Sequence, residues 1–209
     1  MGKWQNLDYA FFEEVEGEYD VPIIDPVYEL PSVKRYIEFA YCRRCRADRN
    51  NRKDIAVHFF EDDFKFESAW TFPDRTGQML SEFGFVIGPD FSQYIDFPKA
   101  VQIYNHYRNN WLVRYWQVLY NITVIPTIMW GMKDTYDWCF DGYPKNSVVA
   151  VSNVGLCRDK ELKQMFYDGY NEMMNRLNPI KILMFSRNFE VMPGNVQYIS
   201  WELYKEAQR

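Results

Sequence analysis

Seven short runs rich in Val, Ile and Phe recur along this chain, and most of them are separated by enough residues for a helix. Strands that are covered on both faces have such continuous apolar runs, whereas strands with one solvated face alternate apolar and polar residues. The runs therefore predict a mainly parallel sheet. The predicted strands are residues 21–24, 55–60, 85–88, 122–130, 147–153, 181–186 and 196–200.

Helical segments lie between these strands. Helices are expected over residues 31–45, 98–120 and 159–177, the second because Pro98 suits a first helical position. Strand followed by helix, repeated about six times, is typical of an α/β protein. About seven strands in 209 residues favour a small or incomplete (β/α) barrel over an open doubly wound sheet. Because no linker segment is visible, residues 1–209 are predicted to form a single α/β domain.

Charge and cysteine usage limit the possible environments and partners. A net charge of -5 argues against a protein that coats nucleic acid non-specifically. No segment has the ~20 uninterrupted apolar residues of a membrane span, and the first residues do not form a signal peptide. Cys42 and Cys45 have C-x-x-C spacing, but no second short-spaced pair accompanies them, so structural thiols are favoured over zinc or redox sites. We therefore expect a cytoplasmic protein with no membrane partner and no metal site, while the sequence indicates no particular cofactor.

One short segment is strongly basic. It is either a solvated helix end and loop or a contact surface for the phosphates of a nucleic acid or nucleotide. Its cations are Arg43, Arg44, Arg46, Arg49, Arg52 and Lys53.

Polar residues follow most of the predicted strands, at the positions where parallel α/β sheets bind ligands. In the segment FVIGPDFSQY, the carboxylate of Asp90 and the hydroxyl of Ser92 directly follow an apolar run. The preceding strand contains His58 and is followed by Glu61, Asp62 and Asp63. Later strand ends contribute binding candidates, namely Trp130, Ser152, Asn153, Gly155 and Arg187.

Two carboxyl groups close to one bond can divide acid, base and nucleophile roles, because like charges separate their pKa values. Asp90 with Asp62 or Asp63 is the predicted pair. The alternative is that Asp63 caps a helix and Asp90 fixes a turn. His58 is either a core residue or, beside these acids, one member of a histidine–carboxylate relay.

The helix over residues 98–120 adds three binding candidates. Arg108 lies on its apolar stripe, where an unpaired guanidinium is costly, so it requires a carboxylate or carbonyl partner or a ligand phosphate. Asn105 and Gln117 are polar residues that face either the same site or solvent.

Several segments together resemble a known family. They are VHFFEDDFKFESAW, GPDFSQYIDFPKAVQIYNHYRNNWLVRYWQ, VIPTIMW and CFDGYPKNSVVAVSNVG, and they are similar to the family called domain of unknown function 4417, found in bacteria and in their phages and mobile elements. The resemblance covers about residues 21–185 and implies a phage or mobile-element setting, but no activity.

Two functions follow as hypotheses. The first is an intracellular enzyme that acts on a nucleotide or nucleic acid, with the rim carboxylates as acid, base or nucleophile and Arg108 or Arg187 beside phosphate. The second is a non-catalytic module that binds nucleic acid, a small ligand or a host protein.

Overall fold

Two parallel β-sheets form the framework of the chain. The structure is a computed structural model, and it describes residues 12–45, 49–153, 160–186 and 191–200. The four-stranded sheet contains, in spatial order, β3 (Arg35–Glu38), β4 (Ile55–His58), β5 (Phe85–Ile87) and β6 (Val124–Ile125). The three-stranded sheet contains β7 (Val148–Ser152), β8 (Lys181–Ser186) and β9 (Val196–Ser200). A separate antiparallel pair joins β1 (Val15–Glu16) to β2 (Val21–Pro22).

Helices connect the parallel strands, as the alternation of patterns predicts. They are α1 (Phe39–Cys42), α2 (Arg49–Arg52), α3 (Asp63–Thr71), α4 (Pro73–Leu80), α5 (Lys99–Tyr120) and α6 (Lys160–Leu177), with a 3₁₀ turn at Lys133–Thr135. The longest, α5, follows Pro98 and ends at Asn121, whose positive φ of 50° stops the helix in a left-handed conformation. No helix in the described ranges is both long enough and apolar enough to span a bilayer.

In the part of the chain that the structure describes, one isolated β-bridge connects the two sheets. Thr127 and Ala150 pair in parallel, Ala150 N–H donates to the Pro126 carbonyl at 2.9 Å, and Ile128 N–H donates to the Ala150 carbonyl at 2.9 Å. At the opposite edges, the ring of Tyr36 on β3 packs edge-on against that of Phe185 on β8, with centroids 5.9 Å apart, and the Gln197 side chain on β9 is near enough to lower the pKa of the phenol, which burial raises. The strands thus follow chain order across both sheets, but they form two ladders, and the described residues contain no closed barrel.

Side chains of the parallel strands alternate between two apolar clusters. One face, with residues such as Val57 and Met184, packs against the helices and their buried indoles Trp111 and Trp116. The other face forms a second cluster to which strands from both sheets contribute. Its buried members are Ala56, Phe60, Phe85, Ile87, Ile125, Val148, Ala150, Leu183, Phe185 and Ile199. Burial on both faces explains the continuous apolar runs of the sequence.

Two predicted elements are wrong at the N-terminal side of the sheet. Residues 21–24 do not form the first parallel strand, because only Val21–Pro22 pair, and they pair antiparallel to β1. The first parallel strand is β3, inside the region predicted as a helix over residues 31–45. Its polar ends look helical, but Ile37 is buried on the helix side and Tyr36 reaches the other cluster, so pairing with β4 decides the conformation.

The other elements are closer to the predictions. Helix α5 and strands β8 and β9 have the predicted bounds to within one residue. The strand predicted over residues 122–130 shortens to Val124–Ile125, because Pro126 has no N–H with which to continue the ladder.

Candidate functional site

Helix α5 holds the main chain of the loop that follows β5. Asn109 accepts the Phe91 N–H on Oδ1 at 2.9 Å and donates from Nδ2 to the Phe91 carbonyl at 3.2 Å. Asn105 Nδ2 donates to the Ser92 carbonyl at 2.6 Å, and Gln102 Nε2 donates to the Phe97 carbonyl at 2.8 Å. All three amides are buried on the helix, so they fix the path of the loop through its backbone.

Asp63, the first residue of α3, fixes the same loop from the other side. Its carboxylate accepts the Ser92 N–H at 3.0 Å and the Ser92 hydroxyl at 2.9 Å, so both oxygens are used. It therefore does not cap α3. Asp62 occupies the N-cap position without a side-chain capping bond and forms an ion pair with Lys65 at 3.0 Å on the exposed surface.

Arg108 has the carboxylate partner that its burial requires. Its guanidinium donates to both oxygens of Glu67 at 3.1 Å and, through Nε, to Asn105 Oδ1 at 3.0 Å. The charged group also lies 3.4 Å from the centre of the Phe91 ring. This arrangement orients Asn105 and thereby supports the loop.

Asp90 has a carboxyl group that its surroundings leave partly unsatisfied, and the buried side-chain amide of Gln93 in the same loop also lacks partners among the described residues. Asp90 is half-buried, and its Oδ1 atom is buried without a hydrogen-bond partner in the described part of the chain. Burial raises the pKa of this carboxyl group well above its ordinary value. The negative charges of Asp63 and Glu61 raise the pKa further, against the lowering effect of a main-chain hydrogen bond.

Glu61 is a second perturbed acid, which the sequence presents only as one member of an acidic run. Its Oε1 accepts the Ala40 N–H at 2.9 Å, whereas its buried Oε2 has no partner among the residues described. Burial raises the pKa of Glu61 to about 7; the bond from Ala40 acts in the opposite direction, and the charge of Glu38 raises the pKa further. Its position directly after the apolar run 55–60 is the sequence signal that indicates burial.

His58 lies at the end of β4, entirely buried among aromatic rings. Its Nδ1 accepts the Phe60 N–H at 3.2 Å, and its ring centre is 5.1 Å from that of Phe185. Burial lowers the pKa of His58 to about 3, so the imidazole is neutral near pH 7. These contacts are those of a core histidine that accepts a main-chain hydrogen bond.

Two other predicted site residues lie away from the Asp90 loop. Gln117 is at the amino end of β6, where it donates to the carbonyls of Asp25 at 3.0 Å and Val124 at 3.3 Å. Trp130 follows β6 but packs into the core, with its ring centre 5.4 Å from that of Phe166. The structure therefore does not bring them together with Asp90.

The remaining binding candidates belong to the second sheet. Ser152 ends β7, and the N–H of Asn153 donates to the Phe185 carbonyl at 3.2 Å. Both residues are at carboxyl ends of strands, as predicted. Gly155 and Arg187 lie outside the described residues.

The basic segment lies at the opposite ends of the strands from the acids. Lys53, just before β4, donates to the carbonyls of Ser81 and Phe83 at 2.9 and 3.1 Å. Arg52 pairs with Glu82 and donates to the Cys45 carbonyl at 3.1 Å. Of the other cations in this segment, Arg43 and Arg44, which directly follow α1, have exposed side chains. Arg46 and the side chain of Arg49 lie outside the described part.

The cysteines that are described are free and buried, namely Cys42, Cys45 and Cys139. Burial raises the pKa of the Cys139 thiol to about 12, which disfavours a reactive thiolate. Within residues 12–45, 49–153, 160–186 and 191–200, no group of three or more His, Cys, Asp or Glu side chains is arranged to hold a metal ion.

Comparison with known proteins places this site within a phage-related family. The chain is 36% identical over 186 residues to the Gene 1 protein of Mycobacterium phage L5, an alignment covering 89% of this chain and 79% of that protein. It is 32% identical over 192 residues to the Gene 1 protein of Mycobacterium phage D29, covering 89% and 67%. No solved structure matches. The family model Domain of unknown function (DUF4417) matches residues 13–202, and the chain therefore belongs to the DUF4417 family.

Proposed function

We propose that this protein is an acid–base enzyme in which Asp90 is the reacting carboxyl group. Its substrate is a nucleotide or nucleic acid, presented to Asp90 through an uncharged sugar or base. The observation that carries the proposal is the buried Oδ1 atom of Asp90, which has no hydrogen-bond partner in the described residues.

Such an atom lowers the stability of the folded protein. Leaving a buried polar group without a partner costs ~1–3 kcal/mol, and more when the group is charged. Reacting groups are commonly kept in such surroundings, because burial and nearby like charges move their pKa values towards the working pH. Asp90 has both features, since burial and the neighbouring carboxylate of Asp63 both raise its pKa.

The hydrogen bonds of the surrounding loop support a catalytic role for Asp90. They hold the loop in place, while the Asp90 Oδ1 atom is left without a hydrogen-bond partner in the described residues. The main-chain N–H groups of Phe91 and Ser92, the next two residues, donate to Asn109 and Asp63. Their carbonyls accept from Asn109 and Asn105. A reacting group must be held within a fraction of an ångström of its working geometry, and such side-chain support provides this.

The charge of the site favours an uncharged portion of the substrate at Asp90. Glu61, Asp62 and Asp63 follow β4, next to the loop of Asp90, and phosphate oxygens there would meet like charges. A sugar or base can be bound without that repulsion. The phosphates of a nucleotide would then extend away from the acidic residues.

We also propose that the seven parallel strands form an incomplete barrel within a single domain over residues 1–209. The bridge between Thr127 and Ala150, the apolar cluster shared by both sheets and the ring contact between Tyr36 and Phe185 support this arrangement. In a barrel of this kind, the carboxyl ends of the strands surround one ligand site.

The phage proteins among its relatives support a role for this protein inside an infected cell or a cell that carries a mobile element, and we propose a cytoplasmic location.

A thermal-shift screen tests the enzymatic proposal. Nucleotides, nucleosides, free bases and free sugars are added to the wild type, to Asp90→Asn and to Asp96→Asn, an exposed acid in the same loop. We expect one compound class to raise the melting temperature of the wild type and of Asp96→Asn, and to leave Asp90→Asn unchanged. A compound that stabilises all three proteins equally would contradict a role for Asp90 and would favour the binding module.

The exposed Arg43 and Arg44 support a second candidate function, nucleic-acid binding at the amino ends of the strands. Electrophoretic mobility shifts with DNA and RNA, measured over a range of salt concentrations, test this function. If these arginines contact phosphates, retention weakens with salt, and the double variant Arg43→Gln, Arg44→Gln has a smaller salt dependence. Retention that is equal in both proteins would rule out this surface.

A further inference from the structure

We propose, as an extension of the proposed function, that Glu61 is the second reacting carboxyl group and that Glu61 and Asp90 together act at a glycosidic carbon. Sequence patterns predict Asp62 or Asp63 as the partner of Asp90. The structure assigns those two residues to other contacts, because Asp63 uses both oxygens on Ser92 and Asp62 forms an exposed ion pair with Lys65.

The strand register places Glu61 and Asp90 at equivalent positions. Strands β4 and β5 are neighbours, and Val57 is paired with Val86 in their parallel ladder. Glu61 is four residues beyond Val57, and Asp90 is four residues beyond Val86. Both residues therefore follow the carboxyl ends of adjacent strands, each three residues after its strand ends.

Both carboxyl groups are fixed in place and incompletely satisfied. Glu61 is anchored through Oε1 by the Ala40 N–H, and its Oε2 is buried without a partner in the described ranges. The Asp90 carboxyl group interacts with its own main chain, in a loop held by Asn109 and Asp63, and it likewise has a buried oxygen, Oδ1, without a partner in the described ranges. Two anchored carboxyl groups, each with one unpartnered oxygen, are suited to a substrate placed between them.

Electrostatic coupling gives the two groups different protonation states. The charge of Glu61 raises the pKa of Asp90, and burial has raised both values. The other charged groups acting on them are Glu38, Asp62, Asp63 and Lys65. Because an ionised Glu61 makes ionisation of Asp90 less favourable, we assign the acid role to Asp90 and the base role to Glu61.

This charge distribution suits a transition state that is positive. Cleavage of a glycosidic bond develops positive charge on the sugar ring, and surrounding carboxylates stabilise that charge. In the proposed step, the protonated carboxyl of Asp90 gives its proton to the leaving base as the bond from the sugar carbon breaks. The bonding electrons remain on the base. A water molecule, which loses a proton to the ionised Glu61, adds its oxygen to the sugar carbon.

Carboxyl titration followed by carbon NMR tests the pairing without any substrate. We expect Glu61→Gln to lower the titration midpoint of Asp90 by about one pH unit, because Asp90 ionises after Glu61 and then meets its negative charge. Asp90→Asn, which is neutral like the protonated Asp90, should leave the midpoint of Glu61 little changed. Asp96→Asn should move neither midpoint. If the amide variants do not fold, Glu61→Ala and Asp90→Ala replace them. An Asp90 midpoint that is the same in Glu61→Gln as in the wild type would overturn the pairing, whereas a raised Asp90 midpoint would still support the proposed function.

A pair of sugar analogues tests the glycosidic assignment. The probes are iminoribitol, whose ring nitrogen is protonated, and anhydroribitol, its uncharged ether analogue. We expect iminoribitol to raise the melting temperature of the wild type and of Asp96→Asn more than anhydroribitol does, and to have no effect on Glu61→Gln. Equal effects of the two probes, or no effect of either, would overturn the assignment to a glycosidic carbon.

Discussion

At the scale of single residues, Asp90 determines an observable pH dependence of stability. Its pKa is raised in the folded protein, so the folded state binds more protons than the unfolded state above pH ~4, and stability falls as the pH rises. Replacing Asp90 with Asn removes this ionisation. We expect the melting temperature of Asp90→Asn to exceed that of the wild type at pH 8 by on the order of 5 °C, from ~1–3 kcal/mol.

The same measurement at low pH provides the control for Asp90. Near pH 4 the wild-type carboxyl is protonated, so the difference between the two proteins should become small. Asp96→Asn, which changes an exposed acid, should match the wild type at both pH values. A lower melting temperature for Asp90→Asn at pH 8 would show that the charged carboxylate stabilises the fold.

Asn109 is the residue on which the loop conformation depends most directly. It satisfies both the N–H and the carbonyl of Phe91, and the substitution Asn109→Leu leaves these two buried groups without partners. We expect a loss of ~2–4 kcal/mol in the free energy of unfolding, measured by urea denaturation. Asn175→Leu, at an exposed position of α6, should change it by less than ~0.5 kcal/mol.

At the scale of elements, the packing of α6 depends on a glycine. A Cβ on Gly169 would lie 2.2 Å from the Trp130 ring, which is itself packed against Phe140 and Phe166. Helix propensity alone would make Gly169→Ala stabilising by ~1 kcal/mol. We expect a net loss of ~1–3 kcal/mol in thermal or urea unfolding, because the rigid indole has little space to move.

A second substitution separates the clash from other effects of Gly169→Ala. In a Trp130→Leu background, Gly169→Ala should cost less stability than it costs in the wild type, since leucine leaves room for the methyl group. Asn171→Ala, in the same helix and exposed, should be neutral or slightly stabilising. Gly169→Ala at least as stable as the wild type would contradict the close contact.

The elements also show which parts of the fold a sequence pattern predicts. Strands β8 and β9 and helix α5 were predictable because each has a consistent local pattern over its full length. Strand β3 was not, because Arg35 and Glu38 suit a helix and only pairing with β4 favours the extended conformation.

For the site, the pattern predicted the strand ends but not the partners. Asp90 was predictable from its place after an apolar run. The roles of Asp63 and Glu61 depend on which main-chain N–H groups approach them, namely those of Ser92 and Ala40. Those contacts are long-range and leave no local signal.

At the scale of the whole molecule, a buried histidine makes the fold sensitive to acid. Burial lowers the pKa of His106 to about 4, against ~6.5 in the unfolded chain. Between these values the unfolded state binds more protons, so stability is lost as the pH falls. In urea denaturation, we expect the free energy of unfolding of the wild type to fall by ~2 kcal/mol more than that of His106→Gln from pH 7 to pH 5.

The comparison between the two proteins isolates His106 from groups that act in the other direction. Because the pKa of Glu61 is raised to about 7, its ionisation lowers the stability of the fold as the pH rises. Glu61 is present in both proteins, so this effect cancels in the difference. The Asp141 carbonyl accepts a hydrogen bond from His106 at 3.1 Å, and glutamine retains a donor for it. Parallel pH profiles would show that His106 does not titrate differently on folding.

The proposed incomplete barrel predicts coupling between its first and last strands. Tyr36→Phe removes the phenol oxygen that interacts with the Gln197 side chain, where β3 approaches β9. We expect amide exchange in β9 to accelerate about fivefold, which corresponds to ~1 kcal/mol, while β4 is unchanged. Tyr28→Phe, at an exposed tyrosine, is the control. If exchange in β9 is unaffected, the two edges are not coupled and the sheets are independent.

The hydrogen bonds between α5 side chains and the backbone of the loop after β5 bear on how the sequences of relatives can diverge. Asn109, Asn105 and Gln102 contact backbone atoms of Phe91, Ser92 and Phe97, and backbone atoms are the same whatever side chain a residue has. The exposed side chains between these anchors, such as Tyr94 and Ile95, can therefore be exchanged without moving Asp90. Relatives can therefore differ in the side chains at this rim while a carboxyl group at the position of Asp90 keeps its place.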